Sequence, residues 1–300
     1  MHKIIILMLV TTALLAPLAC FGAEGVRFLQ AQTVYADDQG GSLKNPEGVA
    51  CRDNVIVVAD SDNGRLVRYT LDNGQFAGGH AIKVPQIGFP IRLQLNSQGE
   101  IFVLDGKTRK VFKLDPKGAY VGTVEASGLP NGSTPILRSF ALDRQDNIYL
   151  LDVFGARVIV LDPAGKFQRQ IPFPADIGFI SDLCVGPTGT IYILDSVKSR
   201  LYSVAAGGEE LTLLGDDLKE YLTFATAIYS AKDGTLLLVD HNGSGIVMLG
   251  SDGSYRGRQL TMGWKPGLLY YPTQICLTSD DQAVVADKGN SRVQIFKLER

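Results

Sequence analysis

The sequence predicts an all-β, six-bladed β-propeller with four antiparallel strands per blade. Three observations carry that expectation. An apolar run ending in aspartate recurs six times, at Asp60, Asp105, Asp152, Asp195, Asp240 and Asp287, with intervals of 45, 47, 43, 45 and 47 residues. A period this regular marks one supersecondary unit repeated along the chain. The runs, such as Ile191 to Leu194 and Leu236 to Val239, are continuously apolar, which describes short strands covered on both faces. Small antiparallel sheets of that kind must stack on copies of themselves, and a ring of blades does so while leaving only short edges.

The chain begins with a segment that does not belong to the fold. Lys3 precedes an apolar run from Ile4 to Ala19, the length of a signal-peptide core and short for a membrane span. Residues 1–22 therefore read as a signal peptide cleaved near Gly22. The second reading is a lipoprotein acylated at Cys20, since Leu18-Ala19-Cys20 resembles part of a lipobox, with Pro17 where leucine is wanted. Residues 23–300 form one domain, because repeat folds of this length stay undivided. With 45% hydrophobic and 20% charged residues the composition is that of a folded protein, and the formal net charge of -2 argues against a general nucleic-acid binder.

The blades fall at about 46–84, 90–124, 138–171, 181–214, 226–260 and 272–298. Each opens with a first strand, such as Leu93 to Leu95 or Phe140 to Leu142, and turns through residues such as Asn96-Ser97-Gln98-Gly99. The apolar second strand follows, then a basic residue and a third strand, such as Val158 to Leu161. Hairpin turns such as Asp162-Pro163-Ala164-Gly165 lead to a more polar outer strand. The sixth repeat supplies only three strands. Phe28 to Tyr35 has no partner of its own, so it is expected to complete the last blade and remove an exposed edge. Two connections are long: Gly207 to Phe224, with a helical turn expected near Asp216 to Tyr221, and Thr261 to Tyr271, which carries Met262 and Trp264.

Cys51, Cys184 and Cys276 remain beyond the leader. The first reading is three small buried hydrophobes. The alternative is a Cys51–Cys276 disulfide between first and last repeats, and an odd count leaves one thiol in either case.

At this level of detail the repeat resembles the NHL repeat. Pro46-x-Gly48-Val49-Ala50, Val57-Val58-Ala59-Asp60 and Arg65-Leu66 carry the likeness, as do Val285-Ala286-Asp287 and Asn290-Ser291-Arg292-Val293. The resemblance implies a six-bladed propeller of the NHL/TolB-like kind. No repeat keeps the Asn-His-Leu triplet; Asn63-Gly64-Arg65 and Asn290-Ser291-Arg292 come nearest. Members of that family include protein- and RNA-binding modules, bacterial extracellular sensor domains and a few metal-dependent lyases, so fold does not give function.

Five aspartates are followed by a base: Asp60/Arg65, Asp105/Lys110, Asp152/Arg157, Asp195/Arg200 and Asp287/Arg292. These read as structural ion pairs at the end of the central strand. The fifth repeat breaks the rule, with Gly245 in the basic position, so Asp240 either accepts backbone hydrogen bonds or joins His241 in a polar site on the loop face. Glu47, Arg92, Arg138, Asp182, Thr226 and Gln274 open successive first strands and are expected to ring one mouth of the central channel. Trp264 is the expected anchor for a protein partner.

Asp60-Ser61-Asp62-Asn63-Gly64 lacks the remaining ligands of an EF-hand loop. His80 and His241 are too few for a three-histidine zinc centre, and no phosphate loop or nucleophile elbow is present. No catalytic residue and no cofactor are assigned. The expected function is a non-catalytic binding scaffold or sensor module, periplasmic or secreted. Its partner is a protein, small molecule or glycan and not nucleic acid, with membrane contact only through a lipidated Cys20. The alternative is a calcium-dependent hydrolase, lactonase or lyase with its site, and its calcium, at the channel mouth.

Overall fold

The computed structural model describes residues 26–72, 74–130, 134–214 and 217–299; the leader at 1–22 and Asp216 of the expected helical turn lie outside them. Within these residues the apolar second strands, such as Val55–Asp60, Ile101–Asp105 and Leu236–Asp240, are buried along nearly their whole length. Side chains on both faces of such a strand need cover, and neighbouring blades supply it. Six four-stranded antiparallel sheets result. Each of six buried clusters lies between two adjacent sheets. Leu66, Val57 and Ala59 of the first blade, for example, meet Leu93, Val103 and Phe112 of the second.

The first blade consists of Gly48–Arg52, Val55–Asp60, Arg65–Asp72 and Gln75–Ile82, from channel to rim. Blades two to five repeat that order, with innermost strands Pro90–Leu95, Leu137–Leu142, Ile180–Val185 and Ala225–Ser230. In the sixth, Pro272–Leu277, Gln282–Asp287 and Arg292–Glu299 are joined by Arg27–Val34 as the outer strand. That strand pairs antiparallel from Arg27↔Glu299 to Val34↔Val293, and Phe28 rests on Phe296 with ring centroids 6.0 Å apart. The N-terminal segment thus closes the ring as expected.

The recurrent aspartates explain how each blade is joined to the connection entering it. At the corner between second and third strands, the residue before the basic position is left-handed in every blade. Gly64 has φ 58°, and Arg109, Ala156, Ser199, Ser244 and Ser291 have φ between 48° and 57°. Side chains rarely adopt that conformation without compensation. The aspartate compensates by accepting hydrogen bonds from the corner: Thr108 N–H donates to Asp105 at 2.8 Å, Gly155 N–H to Asp152 at 3.0 Å and Lys198 N–H to Asp195 at 3.0 Å. The same carboxylates accept from the incoming connection. Lys44 N–H reaches Asp60 at 2.7 Å, Phe89 N–H reaches Asp105 at 2.6 Å, Ile136 N–H reaches Asp152 at 3.1 Å and Tyr270 N–H reaches Asp287 at 2.7 Å.

The expected ion pairs form only in part. Arg65–Asp60 at 2.6 Å, Arg157–Asp152 at 3.1 Å and Arg292–Asp287 at 2.6 Å are present, all deeply buried on the acid side. Asp105/Lys110 and Asp195/Arg200 are not among the ion pairs of the described residues. In blade two, Thr108 Oγ1 donates to Asp105 at 3.0 Å in addition to the backbone donors, and Lys110 stays in solvent. In blade four, the N–H groups of Gly178, Phe179 and Lys198 fill the carboxylate of Asp195. The carboxylate clamp is the invariant feature, with the side-chain amides of Asn63 and Asn290 as corner donors in blades one and six, and the base is optional.

Asp240, read as lacking a base, has one. Arg258, from the outer strand Tyr255–Gln259, places its guanidinium 2.8 Å from the fully buried carboxylate. Thr223 and Phe224 N–H complete the set.

The cysteine reading is corrected as well. Cys51 and Cys276 form a disulfide, with Cα atoms 5.7 Å apart although the two are 225 positions apart in sequence, while Cys184 is buried and free. Inner strands of first and last blades lie side by side once the ring closes, and only closure makes this pairing reachable. The bridge joins inner strands at the seam whose outer strand is Arg27–Val34. Replacing Cys276 by serine, or reducing the native protein, is expected to lower unfolding free energy by about 2–4 kcal/mol. Denaturant titration with and without reductant checks this, with Cys276→Ser as the reductant-insensitive control.

Candidate functional site

In each blade the innermost strand is paired on one side only, so its other edge turns N–H and C=O groups into the central channel. Unpaired backbone groups out of water are costly. Long polar side chains from the start of these strands meet them. Gln274 Oε1 accepts from Val49 N–H at 3.3 Å and Leu93 N–H at 3.4 Å, and its Nε2 donates to Leu93 carbonyl at 3.0 Å. Arg92 crosses the channel to donate to the carbonyls of Thr273 at 2.7 Å and Thr226 at 2.5 Å. Asp182 accepts from Ile228 N–H at 2.9 Å and from Ser139 Oγ. Side chains of four blades thereby close the channel at a waist. Gly48 makes room for it: a Cβ there would stand 3.2 Å from Gln274 Oε1 and 3.3 Å from Leu93 Cγ.

The six residues expected to ring one mouth divide into two sets. In blades two to six a β-bulge falls at the start of the innermost strand, as between Pro90 and Arg92 and between Ile180 and Asp182. One extra residue there shifts the register by one position. Arg92, Asp182 and Gln274 consequently belong to the waist. Glu47, Arg138 and Thr226 sit one position earlier, nearer the loop face. Glu47 pairs with Lys288 at 2.7 Å, and Arg138 lies over the Phe179 ring with 4.6 Å to its centroid. Burial, then Arg92 and Arg109 nearby, lowers the Arg138 pKa. The Thr226 hydroxyl is buried without a partner. Ser139, which the sequence reading missed, is found by counting backwards from the aspartate with the bulge included.

Burial pushes the Asp182 carboxyl above the ordinary carboxylate value, while Arg92 and Ser139 act in the opposite sense. His241 is half-buried, its Nδ1 2.9 Å from the Pro272 carbonyl and its ring 5.1 Å from that of Tyr271. Burial lowers its pKa, so the ring is neutral at pH 7 and Nδ1–H is the donor. Asp240 is turned inward to its backbone donors and Arg258, so His241 and Asp240 do not share a polar site. Among the described residues no group of three or more His, Cys, Asp and Glu gathers. The waist offers one carboxylate, already hydrogen-bonded and beside a guanidinium. That does not suit calcium, which takes about six to eight oxygen ligands.

The face carrying the corners and the incoming connections has a different character. Phe154 is 82% exposed, Trp264 73% and Val197 62%, and Tyr35, Ile136, Val153, Phe179, Met262 and Tyr271 are also exposed there. All remaining exposed large hydrophobic side chains of the described residues lie on outer strands, and none on the opposite face. The Trp264 loop is held firmly at its base. Arg292 donates to the carbonyls of Trp264, Lys265 and Leu268, each at 2.8 Å, and Trp264 packs against Tyr270 at 5.9 Å between centroids. Phe154, more exposed than Trp264, was missed because it sits in a corner that the repeat marks as scaffold.

The family model described as the NHL repeat matches residues 269–296. The sixth blade is an NHL repeat. This stretch holds Asp287, Arg292 and the left-handed Ser291, the corner that the other blades reproduce with looser sequence. None of the curated proteins compared with the chain matches it. Among solved structures, a virginiamycin B lyase from Staphylococcus aureus is similar over 91% of this chain and 99% of its own, at 13% identity and a TM-score of 0.63. A gluconolactonase from Xanthomonas campestris is similar over 92% and 95%, at 14% identity and a TM-score of 0.66. The calcium-binding protein regucalcin from Agrobacterium tumefaciens is similar over 91% and 95%, at 15% identity and a TM-score of 0.65. At these identities the likeness is one of fold.

Arg258→Met strands the buried Asp240 charge and is expected to cost about 3–5 kcal/mol in denaturant unfolding; Lys110→Ala is expected to stay within about 0.5 kcal/mol. For Asp182, a raised folded-state pKa means that the native protein binds the proton more tightly than the unfolded chain. Its contribution to stability grows as pH falls through the raised value towards the ordinary 3.8, and shrinks as pH rises. Wild type should therefore gain stability relative to Asp182→Asn as pH is lowered from 7 to about 4, measured by urea titration of both proteins across that range.

Proposed function

We propose that this propeller is an exported, non-catalytic binding module that docks a protein partner on its loop face. The observation that carries the reading is the segregation of exposed apolar side chains. Phe154, Val197 and Trp264 stand on the loop face while the opposite face presents none among the described residues. Large apolar side chains exposed on one face and not on the other favour that face as an interaction site. Aromatic anchors dominate such interfaces. The NHL repeat is compatible with this role, and the Cys51–Cys276 disulfide supports an oxidising compartment outside the cytoplasm.

The second reading is a calcium-dependent hydrolase, lactonase or lyase. It is favoured by fold likeness to a lactonase, a lyase and a calcium-binding protein. The waist chemistry weighs against it, because Asp182, Arg92 and Gln274 are committed to backbone groups.

Phe154→Ser combined with Trp264→Ser is the test of the binding reading. Both side chains are exposed, so the variant should fold with an unchanged melting temperature. Affinity capture from an envelope extract, with cross-link mapping of the contact, is expected to place a partner on residues near 154 and 264 and to weaken that complex at least about tenfold in the variant. Cross-links confined to the opposite face, or capture equal for both proteins, would remove the proposal.

A further inference from the structure

Beyond the waist the channel widens into a cavity of about 450 Å³ that opens on the face opposite the apolar loops. Gln274, hydrogen-bonded across to Leu93, lies at its inner end, so it is a pocket closed towards the waist, of a size that holds small ligands. Short apolar side chains such as Leu95, Ala141 and Val185 wall it, together with the Cys51–Cys276 bridge.

Its mouth carries five charged residues, Arg52, Arg144, Lys232, Asp143 and Asp146. The two acids are held by neutral hydrogen-bond donors and keep their charge. Asp143 accepts from the N–H groups of Gln145 and Asn147, both at 2.9 Å, and from the Tyr149 hydroxyl at 3.0 Å. Asp146 accepts from Ser97 N–H at 2.8 Å and Ser97 Oγ at 2.5 Å. The cations are not so engaged. Arg52 lies 3.9 Å from the exposed Asp53, and Lys232 Nζ donates to the Ser279 carbonyl at 3.3 Å. Arg144 has no ion pair among the described residues and stands exposed at the rim. Three loosely held cations against two fixed carboxylates leave the lining with an excess of one positive charge, which a low-dielectric cleft focuses inward.

The pocket wall is polar in a second way. Alternate residues of an edge strand turn both N–H and C=O to its free side. Val49, Leu93 and Ile228 do so at the waist, where side chains meet them. Two residues further on, Cys51, Leu95 and Ser230 face the pocket by the same alternation, and the buried Ser230 hydroxyl has no partner.

We propose that this blind end of the channel binds a small hydroxylated organic anion. Its carboxylate sits among Arg144, Lys232 and Arg52, and its hydroxyls face the backbone groups of the inner strands. A net charge of -2 gives the chain no general attraction for anions, so recognition would be local. The site is remote from the loop face and independent of partner docking there.

Citrate serves as the probe, titrated calorimetrically into the full chain at low and at physiological ionic strength. Saturable one-site binding that weakens with salt is expected. Arg144→Gln and Lys232→Gln should each weaken it at least tenfold, while Phe154→Ser leaves it unchanged. Both basic residues are exposed, and a thermal melt of each variant confirms folding. Absence of saturable citrate binding overturns the proposal. So does equal affinity in both variants, or equally tight binding of the uncharged polyol xylitol.

Discussion

A buried carboxylate that accepts hydrogen bonds from two directions holds each blade of this protein together. One set of donors comes from a left-handed corner and the other from the connection entering the same blade. Without an acceptor both sets would be buried and unmatched, at a cost of about 1–3 kcal/mol for each group. Repeated around the ring, the clamp fixes the connections that make up the loop face, so every side chain on that face is positioned relative to an aspartate. This is why the basic partner varies while the acid does not. Arginine 65, 157 or 292 can supply the counter-charge, Arg258 can supply it from the outer strand, and blades two and four manage with neutral donors.

A second constraint comes from the inner edge. Six strands that each turn a free edge towards one axis create a tube of unmatched donors and acceptors. Three long polar side chains reach across that tube and meet part of the need, which turns a through-channel into two ends with separate chemistry. The loop face carries the exposed aromatic side chains, Phe154 and Trp264 foremost. The other end is deep, blind and edged with cations. A single backbone requirement therefore decides that neither end can act as a mouth for the other.

Much of this was legible in the sequence. The aspartate period gave the blade count, the uninterrupted apolar runs gave burial on both faces, and the orphan segment before the first repeat identified the closing strand. The corner ion pairs were only half legible, because spacing records which residues are near and not which donors arrive first; at Asp105 and Asp195 backbone N–H groups and a threonine take the places expected for Lys110 and Arg200. Glu47, Arg138 and Thr226 fell one residue short of the waist, since a bulge adds a residue in blades two to six but not in blade one, without changing the hydrophobic pattern. Arg258 was invisible for a simpler reason: it lies 18 residues from Asp240, outside any spacing the repeat suggests. The disulfide could be named as an option but not chosen, because its likelihood depends on ring closure bringing residues 225 apart in sequence into contact.

The departures from the repeat are more informative than the repeat itself. Gly48 is the one inner-strand opening that brings no side chain to the waist, and its absence lets Gln274 of the last blade pass the first blade to reach Leu93 of the second. A larger residue there would force Gln274 aside and free Val49 and Leu93 N–H together. Cys51 and Cys276 lie lower on the same two strands, so the seam between first and last blades is fastened at the waist by an amide and below it by a disulfide, with the N-terminal strand closing it at the rim. A ring made from one chain has a single junction that covalent continuity does not protect. Three different interactions concentrate there because that is where opening would begin.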